Sequence, residues 1–222
     1  MVRARRVTVL YDVQDERARP EVDDVAVALV EAGTEVDLLV VRDDLDALAA
    51  GIREQGPDLV VNLVAKFAGN PKLAPDVAAA LDLLRIPYTG AGPSGLYLAA
   101  DRELAQRLLA SHGVAASGPD RSVRFVVLGN DRLTTFPAAE ELLPAVHIAW
   151  GALRLRDYAI IEAQVGPEPA IVGAVPNPPL GRDGPVALAA AAAGLSYPDL
   201  LLRVLGEAWS RHVAVAPAAK TA

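Results

Sequence analysis

The residues best suited to chemistry fall in three places along this chain of 222 residues. Gly90, Gly92 and Gly95 spell G-x-G-x-x-G ahead of a predicted helix, a spacing that lets backbone amides approach a dinucleotide pyrophosphate. The same stretch holds Pro93, which removes an amide that an anion would need, and it follows the fourth predicted strand rather than the first. No carboxylate closes a strand about 20 residues further on, so a tight turn competes with the nucleotide reading and fits better. The second place is a pair of polar loops, 12–17 and 66–72, carrying Asp15, Glu16, Lys66 and Asn70. Both follow predicted parallel strands, at the end where open α/β sheets hold their ligands. Their opposite charges could bind a zwitterion such as an amino acid, and ordinary surface loops would carry the same residues. The third is His112, His147 and His212, none with an Asp, Glu or His companion at helical spacing. His112 falls at a predicted helix end, where the dipole favours an imidazolium.

These residues need a scaffold, and the apolar pattern supplies one. Val7 to Tyr11 reads as a buried strand, and Val22, Val25, Ala26, Leu29 and Val30 as one face of a helix that Gly33 ends. The unit repeats as EVDLLVV followed by a helix with Leu45, Leu48, Ala49 and Ile52, closed by Gly56-Pro57. DLVVNLV gives a third strand, Val77, Ala80, Leu81 and Leu84 a third helix, and Ile86 the start of a short fourth strand. Leu96, Ala100, Leu104 and Leu108 predict a single helix ending at Gly113. Strands alternating with helices imply a parallel sheet covered on both faces.

The pattern lapses in AASGPDR, which divides the chain into domains 1–117 and 118–222. Beyond it, RFVVLGN reads as a strand, and RDYAIIEAQV with PAIVGAV as an antiparallel pair. Ser196 and Asp199 predict the cap of a last helix whose face is Tyr197, Leu200, Leu201, Val204, Leu205 and Ala208. That helix is expected to dock on the sheet and to fray from Val213.

With 52% hydrophobic and 22% charged residues the chain reads as a folded globular protein. A net charge of -7, with no basic cluster beyond Arg3, Arg5 and Arg6, argues against a nucleic-acid partner. The absence of cysteine excludes disulfides, thiolate metal sites and a Cys nucleophile. No apolar run reaches the roughly 18 residues that span a bilayer, and the apolar stretch in the opening MVRARRVTVLYDVQDER breaks at Asp12, too short for the core expected of a signal peptide. A cytoplasmic protein with no membrane association is expected.

RIPYTGAGPSGLYLAADRELAQRLLASHGV resembles the PYTG segment and following Asp-Lys helix of the D-alanine-D-alanine ligases and related ATP-grasp carboxylate-amine ligases. RFVVLGND, RDYAIIEAQV and VGAVPNPPL resemble later family segments, usually read REFTVGVLGN, RDYARIDFRV and LEVNPNPPL, and residues 190–212 resemble the terminal helices. The resemblance runs from Val7 to about His212 and implies an α/β fold. A parallel βαβ, Rossmann-like pre-ATP-grasp domain comes first, followed by a truncated ATP-grasp C-terminal α+β subdomain. The central lobe that folds over ATP in the family is missing near Pro119.

The resemblance also implies roles, and this sequence departs from most of them. Arg102 follows Asp101 where the family has a phosphate-contacting lysine, and Gln106 replaces a second lysine. Ile160 replaces an arginine that steadies the acyl phosphate. Glu162 replaces a metal-binding aspartate, while Gly173 and Val175 stand where a glutamate and an asparagine hold magnesium. Asn177 survives as the second asparagine of that motif, and Ala65 and Lys66 stand where relatives carry substrate-loop residues. Magnesium needs hard oxygen ligands, and phosphoryl transfer needs cations on the transferring group.

The expectation is a non-catalytic ATP-grasp pseudoenzyme with no metal and no cofactor, acting as a binding, scaffold or regulatory subunit. It is expected to form a homodimer, or a heterodimer with a full-length ATP-grasp ligase. The alternatives are a carboxylate-amine ligase of this type, a recruited ATP-independent enzyme, or an amino-acid or dipeptide binder. These would use the old substrate cleft, with Asp15, Glu16, Lys66, Asn70, Tyr88, Asp101, Arg102, Glu162 and Asn177 as binding residues.

Overall fold

Val7, Val9 and Leu10 have no exposed surface, because β1 (Arg6–Asp12) is the middle strand of a parallel sheet. The computed structural model describes residues 4–12, 18–114, 122–130, 133–136, 140–164 and 170–215. In this first sheet β1 lies between β2 (Glu35–Val41) and β3 (Leu59–Asn62), with Val7 opposite Val36 on one side and Leu59 on the other. Helix α1 (Ala18–Glu31) packs Val22, Val25 and Leu29 into the core and ends before Gly33, at φ +83°. Helix α2 (Leu45–Gln55) starts where the Asp44 carboxylate accepts the amides of Asp46 and Ala47, and it ends at left-handed Gly56. α3 is Ala74–Leu84.

Two expectations are corrected here. The strand expected from Ile86 is reduced to a bridge between Tyr88 and Val60. Pro87 has no N–H to extend a ladder and the chain turns at Gly90, φ +90°. The single helix expected over Leu96–Leu108 is two helices, α4 (Pro93–Ala100) and α5 (Arg102–Ser111), broken at Asp101. Asp101 is extended there, and its carboxylate accepts the Leu104 amide at 2.9 Å. Capping by a short carboxylate outweighs the apolar period. The break turns Leu104 outward and Ala105 and Leu109 inward.

The second sheet is antiparallel, ordered β5-β4-β6-β7, from β4 (Ser122–Leu128), β5 (Thr134–Phe136), β6 (Tyr158–Gln164) and β7 (Ala170–Pro176). α6 (Leu143–Ala152) covers one face with Val146, Ala149 and Trp150. It was not among the expected elements, since a run apolar on nearly every side shows neither period clearly. α7 (Pro185–Ala192) and α8 (Tyr197–Val215) cover the other face. Ser196 caps α8 with Asp199, and the expected face of Leu200, Leu201, Val204, Leu205 and Ala208 is buried. The largest core joins Val7, Val9 and Val61 of the first sheet to Val126, Leu128 and Tyr158 of the second, across Leu201 and Val204 of α8. The boundary expected at 117/118 lies outside the described residues.

A polar clamp holds the same halves together. The Asp157 side chain has no exposed surface. It accepts hydrogen bonds from the Gly90 amide (2.8 Å), Asn130 Nδ2 (3.0 Å) and Arg211 Nη2 (2.9 Å). Arg211 also donates to the Tyr88 carbonyl at 2.7 Å, and Asn130 Oδ1 accepts the Asp157 amide at 3.0 Å. Glu207, one turn before Arg211 on α8, accepts the Asn130 amide at 3.0 Å.

Removing one partner of a buried ion pair leaves a charge without compensation. Arg211→Ala is therefore expected to lower the unfolding free energy by about 3–5 kcal/mol, read by urea denaturation. A loss below about 1 kcal/mol, the range of exposed pairs, would contradict the clamp.

A pH dependence follows from Glu21, whose Oε1 accepts the Leu180 amide at 2.6 Å. Burial pushes its carboxyl above the usual range, and Asp24 adds to that against the opposing Leu180 bond. With a raised folded-state pKa the native protein holds more protons than the unfolded chain above the ordinary glutamate range. Stability therefore falls as pH rises through that window. Glu21→Gln is expected to flatten this slope in thermal unfolding followed against pH, and an unchanged slope would contradict the assignment.

Candidate functional site

The break at Asp101 opens a cleft of about 820 Å³ between the carboxyl end of the first sheet and the end of β7. Lys72, Leu96, Tyr97, Asp101, Arg102 and Asn177 are among its lining residues. A smaller cavity of about 170 Å³ lies beyond Arg102, lined by Gln106, Glu162 and Gly173 among others. Arg102 borders both cavities.

The expected residues are distributed unevenly around this region. Asp101, Arg102 and Asn177 meet at the larger cleft, and Glu162 faces the smaller one. Asp15 and Glu16 lie outside the described residues. Lys66 and Asn70 flank the wall without lining it: the Lys66 and Ala65 amides donate to Asp12 Oδ2 at 3.0 Å, and Asn70 Oδ1 accepts the Lys72 amide at 3.0 Å. Tyr88 is buried in the core, with its hydroxyl donating to Asp82 at 2.9 Å and Arg211 5.6 Å from its ring centroid. Burial, with Asp82 adding to it, pushes that phenol up.

The glycine motif is consumed by packing. The Gly90 amide goes to Asp157, and the Ala91 amide donates to Asn177 Oδ1 at 2.6 Å. A Cβ on Gly90 would stand 2.2 Å from that oxygen, on Gly92 2.6 Å from the Arg156 guanidinium, and on Gly95 2.6 Å from the Arg154 carbonyl. All three glycines allow residues 154–157 and 177 to approach. These amides point at protein acceptors, which makes the stretch the tight turn of the two readings.

The register of β6 and β7 places the positions that the ligase resemblance singled out side by side. Ile160 pairs with Val175 and Glu162 with Gly173, with an irregularity between Glu162 and Ala163. Ile160 is buried. Glu162 stands opposite Arg124 on β4 and accepts from its Nε at 3.0 Å. Among the described residues no group of three or more His, Asp or Glu side chains could hold a metal ion. A divalent cation takes about six oxygen ligands, and one carboxylate already bound to a guanidinium does not fit it. A magnesium nucleotide of the kind the resemblance implies is therefore not matched by these residues.

Arg124, Lys72, Tyr97 and Asp157 went unremarked in the sequence. Arg124 carried a usable signal, a lone charge in a strand beside one holding Glu162. Asp157 carried another, a carboxylate just ahead of the apolar run YAII.

Comparison with solved structures returns ligases along almost the whole chain. The D-alanine-D-alanine ligase from Bacillus anthracis complexed with ATP aligns at a TM-score of 0.77 and 13% identity, covering 97% of this chain and 100% of that one. The fold is that of the D-alanine-D-alanine ligases. The same Bacillus anthracis ligase in a second structure gives 0.73 at 12% identity over 96% and 100%. The ligase from Coxiella burnetii gives 0.72 at 14% over 94% and 96%. No protein-family model and no curated protein matches the chain. Within this fold, α5 ends at Ser111 and β4 begins at Ser122. No single helix among the described residues is long and apolar enough to cross a membrane.

Because Gly90 combines φ +90° with contact to Asn177, Gly90→Ala is expected to cost about 1–3 kcal/mol in urea unfolding. A neutral substitution would show that the turn is not packed as described.

Proposed function

We propose that this chain is a pseudoenzyme on a ligase fold, binding a small molecule in the cleft at Arg102 without running magnesium-nucleotide ligation. The observation that carries the reading is the pairing of Glu162 with Gly173 and Ile160 with Val175. Where the resemblance calls for an acyl-phosphate arginine and a magnesium cage, these four side chains offer one carboxylate, and Arg124 already neutralises it. Phosphoryl transfer relies on cations to neutralise the transferring group and on burial of the nucleotide from water. The chain has the cleft, its apolar walls and, among the described residues, an Arg102 guanidinium with no ion pair or hydrogen bond. Those are the parts that bind, and the parts that move phosphate are replaced.

Calorimetric titration with Mg-ATP, in the presence and absence of D-alanine, tests this. No binding tighter than millimolar and no ADP release are expected. Micromolar binding, or ADP formed in proportion to added D-alanine, would overturn the proposal in favour of a ligase.

A further inference from the structure

The cleft's lining indicates what it binds, if the reading above holds. Its volume, about 820 Å³, lies in the range of pockets that enclose drug-sized ligands and exceeds what a single small amino acid needs. The walls are mostly apolar, with Leu96, Leu98, Pro75 and Pro176 contributing. Tyr97 and Leu104, also in the lining, are 48% and 42% exposed, so apolar surface there is uncovered. Tyr97 is held in place by its hydroxyl, which donates to Asp76 at 2.6 Å.

The charges point the same way. On a chain of net charge -7, the charged residues lining this cleft are two cations and one carboxylate: Lys72, Arg102 and Asp101. Asp101 is committed to the head of α5 through the Leu104 amide. Among the described residues neither the Lys72 nor the Arg102 side chain has an ion pair or hydrogen bond, and both stand in the lining of the same cleft. Two unengaged cations beside apolar walls suit an anionic head on an apolar body.

The glycine-rich turn gives a phosphate no cradle of free amides, because the Gly90 and Ala91 amides beside Asn177 are taken. A carboxylate needs only a planar fork, which a guanidinium matches with two parallel bonds. An ammonium group would meet two cations beside the single carboxylate of the lining, Asp101, which already accepts the Leu104 amide. We propose that the cleft binds an apolar monocarboxylate, with Arg102 and Lys72 holding the carboxylate and Leu96, Tyr97 and Leu104 covering the chain.

Calorimetric titration of hexanoate, octanoate and decanoate, with the alcohols and amines of the same length as controls, tests this. The carboxylates are expected to bind, each methylene that enters the cleft tightening affinity by up to about fourfold. Alcohols and amines are expected to bind far more weakly. Arg102→Gln should weaken carboxylate binding about tenfold or more, and Lys72→Gln should weaken it less. Both side chains are exposed and unengaged, so the melting temperature without ligand should be unchanged. Ala100→Trp, which fills the cleft and leaves its charge alone, should abolish binding. Equal binding of the alcohols, preference for the amines, indifference to all three substitutions, or no binding of any carboxylate would each overturn the proposal. Mg-ATP binding alongside carboxylate binding would overturn the pseudoenzyme reading alone. Failure of both ligands would overturn the carboxylate assignment alone.

Discussion

A carboxylate shut away from water must be met by donors on every side, and Asp157 draws its donors from distant parts of the chain. Gly90 comes from the turn after the first sheet, Asn130 from the turn after β4, and Arg211 from α8. An unpaired buried charge is costly enough that these elements hold one arrangement or the fold loosens. The apolar core between the sheets supplies most of the burial, but it is non-directional. The clamp is directional: it ties the turn at Gly90, the turn at Asn130 and α8 to one carboxylate.

The same clamp explains why the glycine-rich turn is no cradle for phosphate. Its amides are the donors Asp157 and Asn177 require, and its missing Cβ atoms make room for Arg154, Arg156 and Asn177. Beside the smaller cavity, Arg124 engages Glu162, the one carboxylate among the described residues of strands β4 to β7. The larger cleft is lined instead by Lys72, Arg102 and mostly apolar walls.

Much of this was legible in the sequence. The first sheet and its helices show clean alternation and proper stops at Gly33 and Gly56, and the cap at Ser196 gave the last helix its start. The antiparallel pairing of β6 and β7 followed from two apolar runs joined by a short link. What escaped was set partly by local capping and partly by tertiary contact. Asp101 breaks a continuous apolar period because its side chain prefers a cap, and α6 hides in a run without contrast. Asp157 and Arg211 lie far apart in sequence, so their pairing exists only once α8 docks. Arg102 and Asn177, read as site residues from resemblance, line the same cleft. Asn70 serves its own turn and Tyr88 the core.

The central claim is that the cleft persists while the divalent-cation chemistry does not. Titration of the protein with Mn²⁺, followed by water-proton relaxation in the presence of ATP, measures that directly. The account predicts the relaxation of Mn-ATP alone, with no enhancement from protein. A saturable enhancement at one equivalent, showing a protein-bound metal nucleotide, would contradict it.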